Sequence, residues 1–409
     1  MKRALQLASV IVPVLFVFAA SAPGAGDWPQ WRGADRNGKA QFKAPAEWPG
    51  KITQKWKMAV GEGDSTPALA DGKLYVFSRE GGDEVTRCLD ADSGKELWRD
   101  KYQTAAATGP AGRHPGPRSS PAVSNGKVIT YGVRGVLSCL DAASGKVLWR
   151  KQSEPNGWPQ FFTASSPLIA DDLCIAQVGG KNDGSVEALD LGTGTQKWKW
   201  TGDGTAYGSP IVINVGGAKA IIAETDKRIV AIGLADGKLL WEKPYAGKGM
   251  GGQNTATPIF NDQILYYSGS GRGTTAAKLE KNGDAITATE LWSNTDNSIQ
   301  YNSPVLKHGF IYGLSDRNVL FCINAKDGKT AWHAPTAGMR GFGSVVDGGS
   351  VLLALTPAEN LIVFEASDKA FKQLASYKVA DSEIYASPVV AGNQVFVKDK
   401  DSVTLWTIQ

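Results

Sequence analysis

One pattern is repeated along most of the sequence, and this repeat restricts the possible fold more than any other feature. The clearest copy runs from Ser120 to Trp149: a Ser-Pro pair, two apolar stretches separated by Gly turns, and a closing Trp. Five further copies share the Ser-Pro or Thr-Pro start and the Trp end, over residues 65–98, 166–198, 209–241, 257–292 and 303–332. A repeat of roughly 40 to 50 residues is typical of β-propellers, in which each copy forms one four-stranded blade.

Two weaker copies bring the count to eight. One begins at Ser344 and ends at Tyr377, with Tyr in place of Trp. The last begins at Ser387 and contains only three strand-like stretches before the chain ends at Gln409. The stretch Ile52–Lys57 precedes the first copy and can supply the missing strand. The sequence therefore predicts an all-β, eight-bladed β-propeller of four-stranded blades, closed by an N-terminal strand that completes the last blade and removes the sheet edges.

The end of each copy resembles the pyrroloquinoline-quinone-like repeat family, whose signature is A-x-D-x-x-T-G-x-x-x-W. Residues 89–98 and 140–149 carry this pattern closely, and the resemblance covers about residues 52–409. It implies that the closing Trp docks between neighbouring blades. The tryptophans at this position are Trp56, Trp98, Trp149, Trp198, Trp241, Trp292 and Trp332. Residues 27–33 are also similar to the start of many exported bacterial proteins built on this repeat.

The N-terminus is predicted to be an export signal that spans residues 1–26. Lys2 and Arg3 precede an apolar run of about 13 residues, which is short for a membrane span. Residues 27–51 are predicted to form an N-terminal extension, and residues 52–409 the quinoprotein-like β-propeller. The first Cys is Cys88, so no lipid-anchor Cys lies near the signal. We expect a monomeric, periplasmic or secreted protein without a transmembrane span in its mature chain.

Charge and cysteine content narrow the function classes. The net charge is +4, which argues against a nucleic-acid partner because such proteins carry a strong basic excess. The four Cys are well separated and form no C-x-x-C pair. Cys88, Cys139 and Cys322 occupy one repeat position, so they belong to different blades and are expected to be too far apart to bridge. We expect all four thiols to be free.

The sequence contains no motif for catalysis or metal binding. His114, His308 and His333 are isolated, and the chain has no G-x-S-x-G elbow. We therefore assign no catalytic residue and no metal site. Quinone-dependent dehydrogenases share this repeat, but they carry a vicinal Cys pair and a calcium site, and this chain has no Cys-Cys. Pyrroloquinoline quinone is kept as an alternative, and no other cofactor is predicted.

One repeat position predicts where a ligand or partner binds. The residue three places before each Ser-Pro proline, or before its equivalent, is expected to lie around the mouth of the central channel. These eight residues, called the mouth ring below, are Asp64, Arg118, Ala164, Tyr207, Thr255, Tyr301, Phe342 and Tyr385. Four of the eight are aromatic, against 9% of the chain, which favours a stacking surface for a sugar, peptide or heteroaromatic ligand. The alternative is that these aromatic side chains pack against neighbouring blades.

Loops on the same face add cations and aromatic side chains. The links that follow Trp98, Trp149 and Trp241 are the longest, and long loops on a rigid scaffold are where function concentrates. The cations expected on this face are Arg113, His114, Arg134, Arg272, Arg317 and Arg340. Trp158, Phe161 and Phe162 add apolar surface in the second long link. The alternative for any single Arg is a solvated loop charge.

Three functions from different classes stay open. The first is an exported, non-catalytic binding scaffold with an envelope protein or a polysaccharide as partner on the loop face. In size and blade number the chain resembles the outer-membrane assembly lipoproteins of the Bam complex, which bind a partner on one propeller face. The second is a quinone-dependent oxidoreductase, which reconstitution with quinone and calcium tests. The third is a glycan-binding or glycan-processing module, which a carbohydrate array tests. We favour the scaffold over the two alternatives.

Overall fold

The computed structural model describes residues 26–409, except 153–156, 182, 248–251, 337–341 and 359. The predicted export signal lies outside the described residues, apart from Gly26. The described chain forms eight sheets, one for each copy of the repeat. The first strands of neighbouring blades contact each other, so they line a central channel. The predicted all-β, eight-bladed propeller is confirmed.

Each blade is an antiparallel meander whose strands follow one another outward from the channel in chain order. Two strands, β1 (Gln41–Phe42) and β2 (Thr53–Ala59), precede the first blade. Blade 1 consists of β3 (Ala68–Ala70), β4 (Lys73–Glu80), β5 (Asp83–Asp90) and β6 (Glu96–Gln103), and blade 2 of β7 (Ala122–Ser124), β8 (Lys127–Tyr131), β9 (Val136–Asp141) and β10 (Val147–Gln152). Blade 3 consists of β11 (Leu168–Ala170), β12 (Leu173–Val178), β13 (Ser185–Asp190) and β14 (Gln196–Thr201). Blade 4 consists of β15 (Ile211–Val215), β16 (Ala218–Glu224), β17 (Arg228–Gly233) and β18 (Leu239–Pro244).

Blades 5 to 8 follow the same plan, and a single-turn 3₁₀ helix, Gly109–Arg113, lies in the link between blades 1 and 2. Blade 5 consists of β19 (Ile259–Asn261), β20 (Ile264–Gly269), β21 (Gly273–Asn282) and β22 (Ala285–Asn294), and blade 6 of β23 (Val305–Lys307), β24 (Phe310–Leu314), β25 (Val319–Asn324) and β26 (Thr330–Pro335). Blade 7 consists of β27 (Ser344–Asp347), β28 (Leu352–Leu355), β29 (Asn360–Phe364) and β30 (Gln373–Lys378). Blade 8 contains β31 (Val389–Gly392), β32 (Gln394–Lys398) and β33 (Ser402–Thr407).

The ring is closed by β2, which pairs antiparallel with β33 and places Trp56 opposite Leu405. This confirms the predicted closing strand. The last blade also gains a fifth strand that the sequence did not predict. Strand β1 pairs in parallel with β31 at the channel, with Gln41 opposite Ala391. The N-terminal part of the chain therefore completes both edges of the last sheet.

Trp98 shows how one blade is joined to the next. Its indole Nε1 donates to the carbonyl O of Ala142 at 3.1 Å. A Cβ on Gly145 would lie 2.5 Å from the indole ring, and the φ of Gly145 is +74°, so glycine is required there for two reasons. The same bond to the following blade is made by Trp56, Trp149, Trp198, Trp292 and Trp332. Trp241 instead packs on the core shared by blades 4 and 5.

Hydroxyl groups of the Ser-Pro and Thr-Pro pairs join neighbouring blades at the channel. In every blade except the last, the first strand has no paired strand on its inner side. The N–H groups there therefore need other partners. The bonds run from the N–H of Ser120 to Ser166 Oγ, of Ser166 to Ser209 Oγ, of Thr257 to Ser303 Oγ, and of Ser387 to Thr66 Oγ1, at 2.8–2.9 Å. The Ser of the motif therefore has a structural role.

Residues 28–43 cross the channel and are called the channel segment below. Its main chain bonds to the first strands of blades 1, 2, 7 and 8, at Leu69, Val123, Asp347 and Gly392. Its side chains reach the remaining four blades: Arg36 reaches blades 3 and 4, Trp31 blade 5 and Arg32 blade 6. The channel segment therefore contacts all eight blades.

The two arginines of this segment are buried without carboxylate partners among the described residues. Arg36 Nη1 donates to the carbonyl O of Ser166 at 3.2 Å and of Pro210 at 2.8 Å. Arg32 Nη1 donates to the carbonyl O of Ser303 at 3.0 Å. Arg32 is 4% exposed and Arg36 2%, and burial lowers the pKa of each guanidinium to about 9. Main-chain carbonyl groups thus take the place of counter-ions.

All four cysteines, Cys88, Cys139, Cys174 and Cys322, are buried free thiols, as predicted. Burial raises the pKa of Cys88 to about 11 and of Cys139 to about 12, so these thiols stay protonated and unreactive at neutral pH. Over the described part of the chain, no helix has the length and apolar character needed to cross a membrane.

Candidate binding site at the channel mouth

A cavity of about 360 Å³ opens at one end of the central channel. All eight residues of the mouth ring line it. They come together because each precedes the first strand of its blade at the same register, and the blades are arranged around one axis. The sequence therefore grouped these residues correctly in space, while a binding role for them stays a prediction. A wider groove beside the β21–β22 hairpin, lined by Lys278, Glu280 and Lys281, lies away from this ring.

The cavity ends on the channel segment. Trp31 lines the cavity, and its Nε1 donates to Thr257 Oγ1 at 2.8 Å. The sequence analysis missed this residue because it treated residues 27–51 only as an extension. A signal was present, since a solvated extension rarely carries two tryptophans in four residues, and Trp28 is 1% exposed.

One side of the cavity is an aromatic wall formed by Tyr301, Phe342, Tyr385 and His114. Tyr301 and Phe342 are stacked, with ring centroids 4.7 Å apart and an interplanar angle of 14°. Phe342 meets Tyr385 edge to face at 4.7 Å, and Tyr385 meets His114 in the same way at 4.5 Å. These are favoured geometries for aromatic pairs, so the wall is formed before any ligand arrives.

The backbone of Tyr301 adopts an unfavourable conformation. Its φ is +61°, in the left-handed region that a bulky residue rarely occupies. Its side chain is 44% exposed, among the most exposed of the large hydrophobic side chains. Such strain persists only where the surroundings impose it, and it is concentrated at functional sites. The strain therefore marks Tyr301 within the mouth ring.

Arg118 lies in the wall opposite Tyr301, because blades four apart face each other in a closed ring of eight. Its Nη2 donates to the carbonyl O of Ala111 and of His114, at 3.0 and 2.7 Å. Its Nη1 is buried and has no hydrogen-bond partner among the described residues. Burial lowers the pKa of Arg118 from its usual value. The cavity wall thus contains a cation with no direct carboxylate partner in the described chain.

Among the described residues that line the cavity, Asp64 supplies the only carboxylate. It lies 3.2 Å from Nδ1 of His114, within hydrogen-bond distance. This bond connects the first blade to the aromatic wall. On the fourth blade, the hydroxyl of Tyr207 accepts from the N–H of Phe161 at 3.0 Å, and burial raises the pKa of Tyr207 to about 12. Both groups are therefore fixed by their neighbours.

Of the cations predicted for this face, His114 lines the cavity, and the other described ones, Arg113, Arg134, Arg272 and Arg317, do not. Arg134 donates to the carbonyl O of Ala106 and lies over the Trp158 ring at 4.8 Å. Arg272 donates to the carbonyl O of Tyr245 and lies over that ring at 4.0 Å.

Arg113 ends the 3₁₀ helix and is exposed, and Arg317 is exposed in the β24–β25 turn. Arg340 lies outside the described residues. Of the loop aromatics, Phe162 is 5% exposed, whereas Phe161 lines the cavity.

Glu224 lies behind the cavity wall. It is 1% exposed, and neither carboxylate oxygen has a hydrogen-bond partner among the described residues. A methyl group on Gly208, the residue after Tyr207, would lie 3.4 Å from Oε2 of Glu224. Burial raises the pKa of Glu224 to about 8, and the nearby Arg272 only partly offsets this effect. Glu224 is therefore mostly protonated at neutral pH.

The cavity residues do not fit a calcium-bound quinone. Calcium takes six to eight oxygen ligands, whereas the part of the cavity wall that the structure describes offers the single carboxylate of Asp64. Across the described ranges, no group of three or more His, Cys, Asp and Glu side chains is placed to hold a metal ion. None of the four buried cysteines lines the cavity.

The fold and the repeat define an eight-bladed propeller of the pyrroloquinoline-quinone-like class, with an aromatic cavity at its channel mouth. A family model described as "Outer membrane protein assembly factor BamB" matches residues 81–334, more than half of the chain, and the chain therefore belongs to this family. Two relatives named "Outer membrane protein assembly factor BamB" are similar over much of their length. The protein from Moranella endobia is 23% identical over 65% of this chain and 66% of its own length, and that from Yersinia pestis 22% identical over 85% and 86%.

Solved structures show the same fold. BamB from Moraxella catarrhalis superposes with a TM-score of 0.66 at 15% identity, over 87% of this chain and 99% of that one. The quinohemoprotein alcohol dehydrogenase ADHIIG from Pseudomonas putida superposes with a TM-score of 0.67 at 15% identity, over 94% of this chain and 80% of that one. At these identities the likeness extends to the fold alone, so it does not decide between a binding and a catalytic role.

Proposed function

We propose that this chain is an exported, non-catalytic scaffold that binds an envelope protein on the loop face of the propeller, centred on the mouth cavity. The observation that carries the proposal is the mouth ring. Its eight positions converge on one cavity and present aromatic side chains and a partly unsatisfied arginine. Aromatic and Arg side chains most often carry binding energy at protein interfaces, and the rigid blades lower the ordering cost of binding.

The family supports a partner in the cell envelope. The relatives are named as factors of outer-membrane protein assembly, so we propose that the partner takes part in that process. The predicted signal at residues 1–26 supports export to the periplasm. A polysaccharide is the second candidate, because the exposed Tyr301 ring, stacked on Phe342, also offers a platform for a sugar ring. A carbohydrate array separates the two.

A paired substitution tests which face binds. We expect Tyr301→Ala with Tyr385→Ala to reduce capture of the partner from the native envelope by at least about tenfold, since each hot-spot residue contributes roughly 2 kcal/mol. Lys95→Ala with Lys146→Ala is the matched control on the opposite face, where both side chains are exposed in the short turns. Thermal melts check folding. If the Lys pair abolishes capture and the Tyr pair does not, function has been assigned to the wrong face.

A further inference from the structure

The cavity is shaped to receive a side chain rather than a polymer that passes through it. Its floor is the Trp31 indole, held by Thr257, and beneath that floor the channel segment bonds to every blade. A strand or a linear glycan therefore cannot thread the channel. What enters must be short and come from the open side, such as a single side chain at the tip of a loop.

The charges in the wall select against an ionised side chain. Arg118 faces the cavity on the second blade and Asp64 on the first. The two residues lie on neighbouring blades, so an incoming charge of either sign meets one like and one unlike charge, and these effects largely cancel. An ionised side chain would also lose hydration on entry. The site therefore favours a neutral group.

The shape of the ring selects a planar group. Phe342 on the seventh blade stands opposite Ala164, the smallest side chain of the mouth ring, so free space lies in front of the aromatic wall. Tyr301 stacks on Phe342 and is held in a left-handed conformation in which its side chain is 44% exposed, so part of the Tyr301 ring is open to stacking. A flat ring that enters this space gains stacking on Tyr301 and edge contacts with the aromatic wall that an aliphatic side chain cannot make.

We propose that this cavity takes a neutral aromatic side chain, Phe or Tyr, presented by a loop of the protein partner. This inference rests on the proposed function, since it names the part of the partner that the mouth ring recognises. The binding mode is a single aromatic anchor in a preformed pocket.

The test uses N-acetyl-phenylalaninamide as the probe, with N-acetyl-leucinamide and N-acetylglucosamine as comparisons, and saturation-transfer NMR on the full mature chain as the readout. We expect ring protons of the phenylalanine probe to receive saturation, and the two comparison probes to bind at least about tenfold more weakly. Equal binding of the leucine probe, or binding of the sugar without the phenylalanine probe, overturns the proposal.

Variants test whether the phenylalanine probe binds in the mouth cavity. They are chosen so that weaker binding cannot be explained by loss of folded protein. Tyr301→Gly removes the ring and its stacking on Phe342, but it also relieves the positive φ, so its melting temperature should fall only a little. Binding of the phenylalanine probe should weaken by at least about tenfold. Leu97→Ala and Leu291→Ala are matched controls, because these exposed apolar side chains lie on the outer strands of blades 1 and 5. Unchanged probe binding by Tyr301→Gly overturns the assignment.

The probe experiment and the capture experiment fail in different ways. If the phenylalanine probe does not bind but the Tyr301 and Tyr385 pair still loses partner capture, the scaffold proposal stands and the aromatic-anchor inference is wrong. If the probe binds but only the Lys95 and Lys146 pair affects capture, the cavity recognises an aromatic ligand that is not the partner, and the scaffold proposal for this face is wrong.

Discussion

The two ends of the central channel are built from the same eight strands, yet their polar groups are satisfied in opposite ways. At the end filled by the channel segment, Arg32 and Arg36 donate to main-chain carbonyl groups of neighbouring blades. At the mouth, Arg118 has a buried Nη1 with no partner in the described chain, and Tyr301 is strained and exposed. The comparison teaches that the chain itself fills one end of the channel, while at the other end the described residues leave an open cavity.

The largest expected loss of free energy of unfolding is at the end of the channel that the channel segment fills. Arg36→Ala removes a buried cation and leaves carbonyl groups of Ser166 and Pro210 without their donor. We expect the free energy of unfolding to fall by about 4 kcal/mol, since hydrogen bonds from charged donors contribute roughly 1.5–3 kcal/mol each. Urea denaturation measures it. Lys39→Ala is the control, because Lys39 is an exposed cation in the same segment. Equal losses in both variants would contradict the structural role of Arg36.

A smaller effect, which depends on pH, is expected behind the mouth. The folded chain holds the Glu224 proton up to about pH 8, whereas the unfolded chain releases it near pH 4.5. The stability from this carboxyl is thus complete below pH 4.5 and is lost as the pH rises toward 8. Between pH 5.5 and 7.5 we expect Glu224 to lower the free energy of unfolding by about 2 kcal/mol.

The Glu224 effect is isolated by comparing slopes. Glu224→Gln should flatten the dependence of the melting temperature on pH over this range, whatever its effect on the absolute value, because an amide does not ionise. Glu290→Gln is the control, since the Glu290 side chain is 50% exposed. If the melting temperature of Glu224→Gln depends on pH as steeply as that of the wild type, the Glu224 carboxyl is hydrated and its pKa is not raised. One difference between the two ends of the channel would then be removed.

The smallest expected loss of free energy of unfolding is at Trp31, which lies between the channel segment and the mouth cavity. Trp31→Ala deletes the cavity floor and the bond to Thr257, at a cost of about 1.5 kcal/mol because the side chain is only partly buried. Binding of the phenylalanine probe should weaken although the mouth ring is intact. Trp31→Phe, which keeps a planar floor without the N–H, should recover most of the probe binding in the same NMR measurement. Full binding by Trp31→Ala would separate the channel segment from the site.

Repetition explains how much of this molecule could be predicted. The eight blades, the closing strand and the convergence of the mouth ring could be predicted from the repeat. Residues at the same position of each copy lie at the same distance from the channel axis, because the blades are arranged symmetrically around it. The channel segment occurs once, so no second copy revealed its role. Its contacts are made largely to main-chain carbonyl groups, which every residue carries, and the partners of Arg36 could not be read from residue types. Arg134 and Arg272 illustrate the same limit, because local carbonyl groups and aromatic rings determine what they contact.

The bonds of the channel segment also determine the order in which the chain can fold. Residues that leave the ribosome early bond to Gly392, near the C-terminus, and Thr53 pairs with Thr407. These bonds join residues that are far apart in the sequence, and the surface that holds the channel segment is complete only when the eighth blade is present. We therefore expect the channel segment to be secured late in folding.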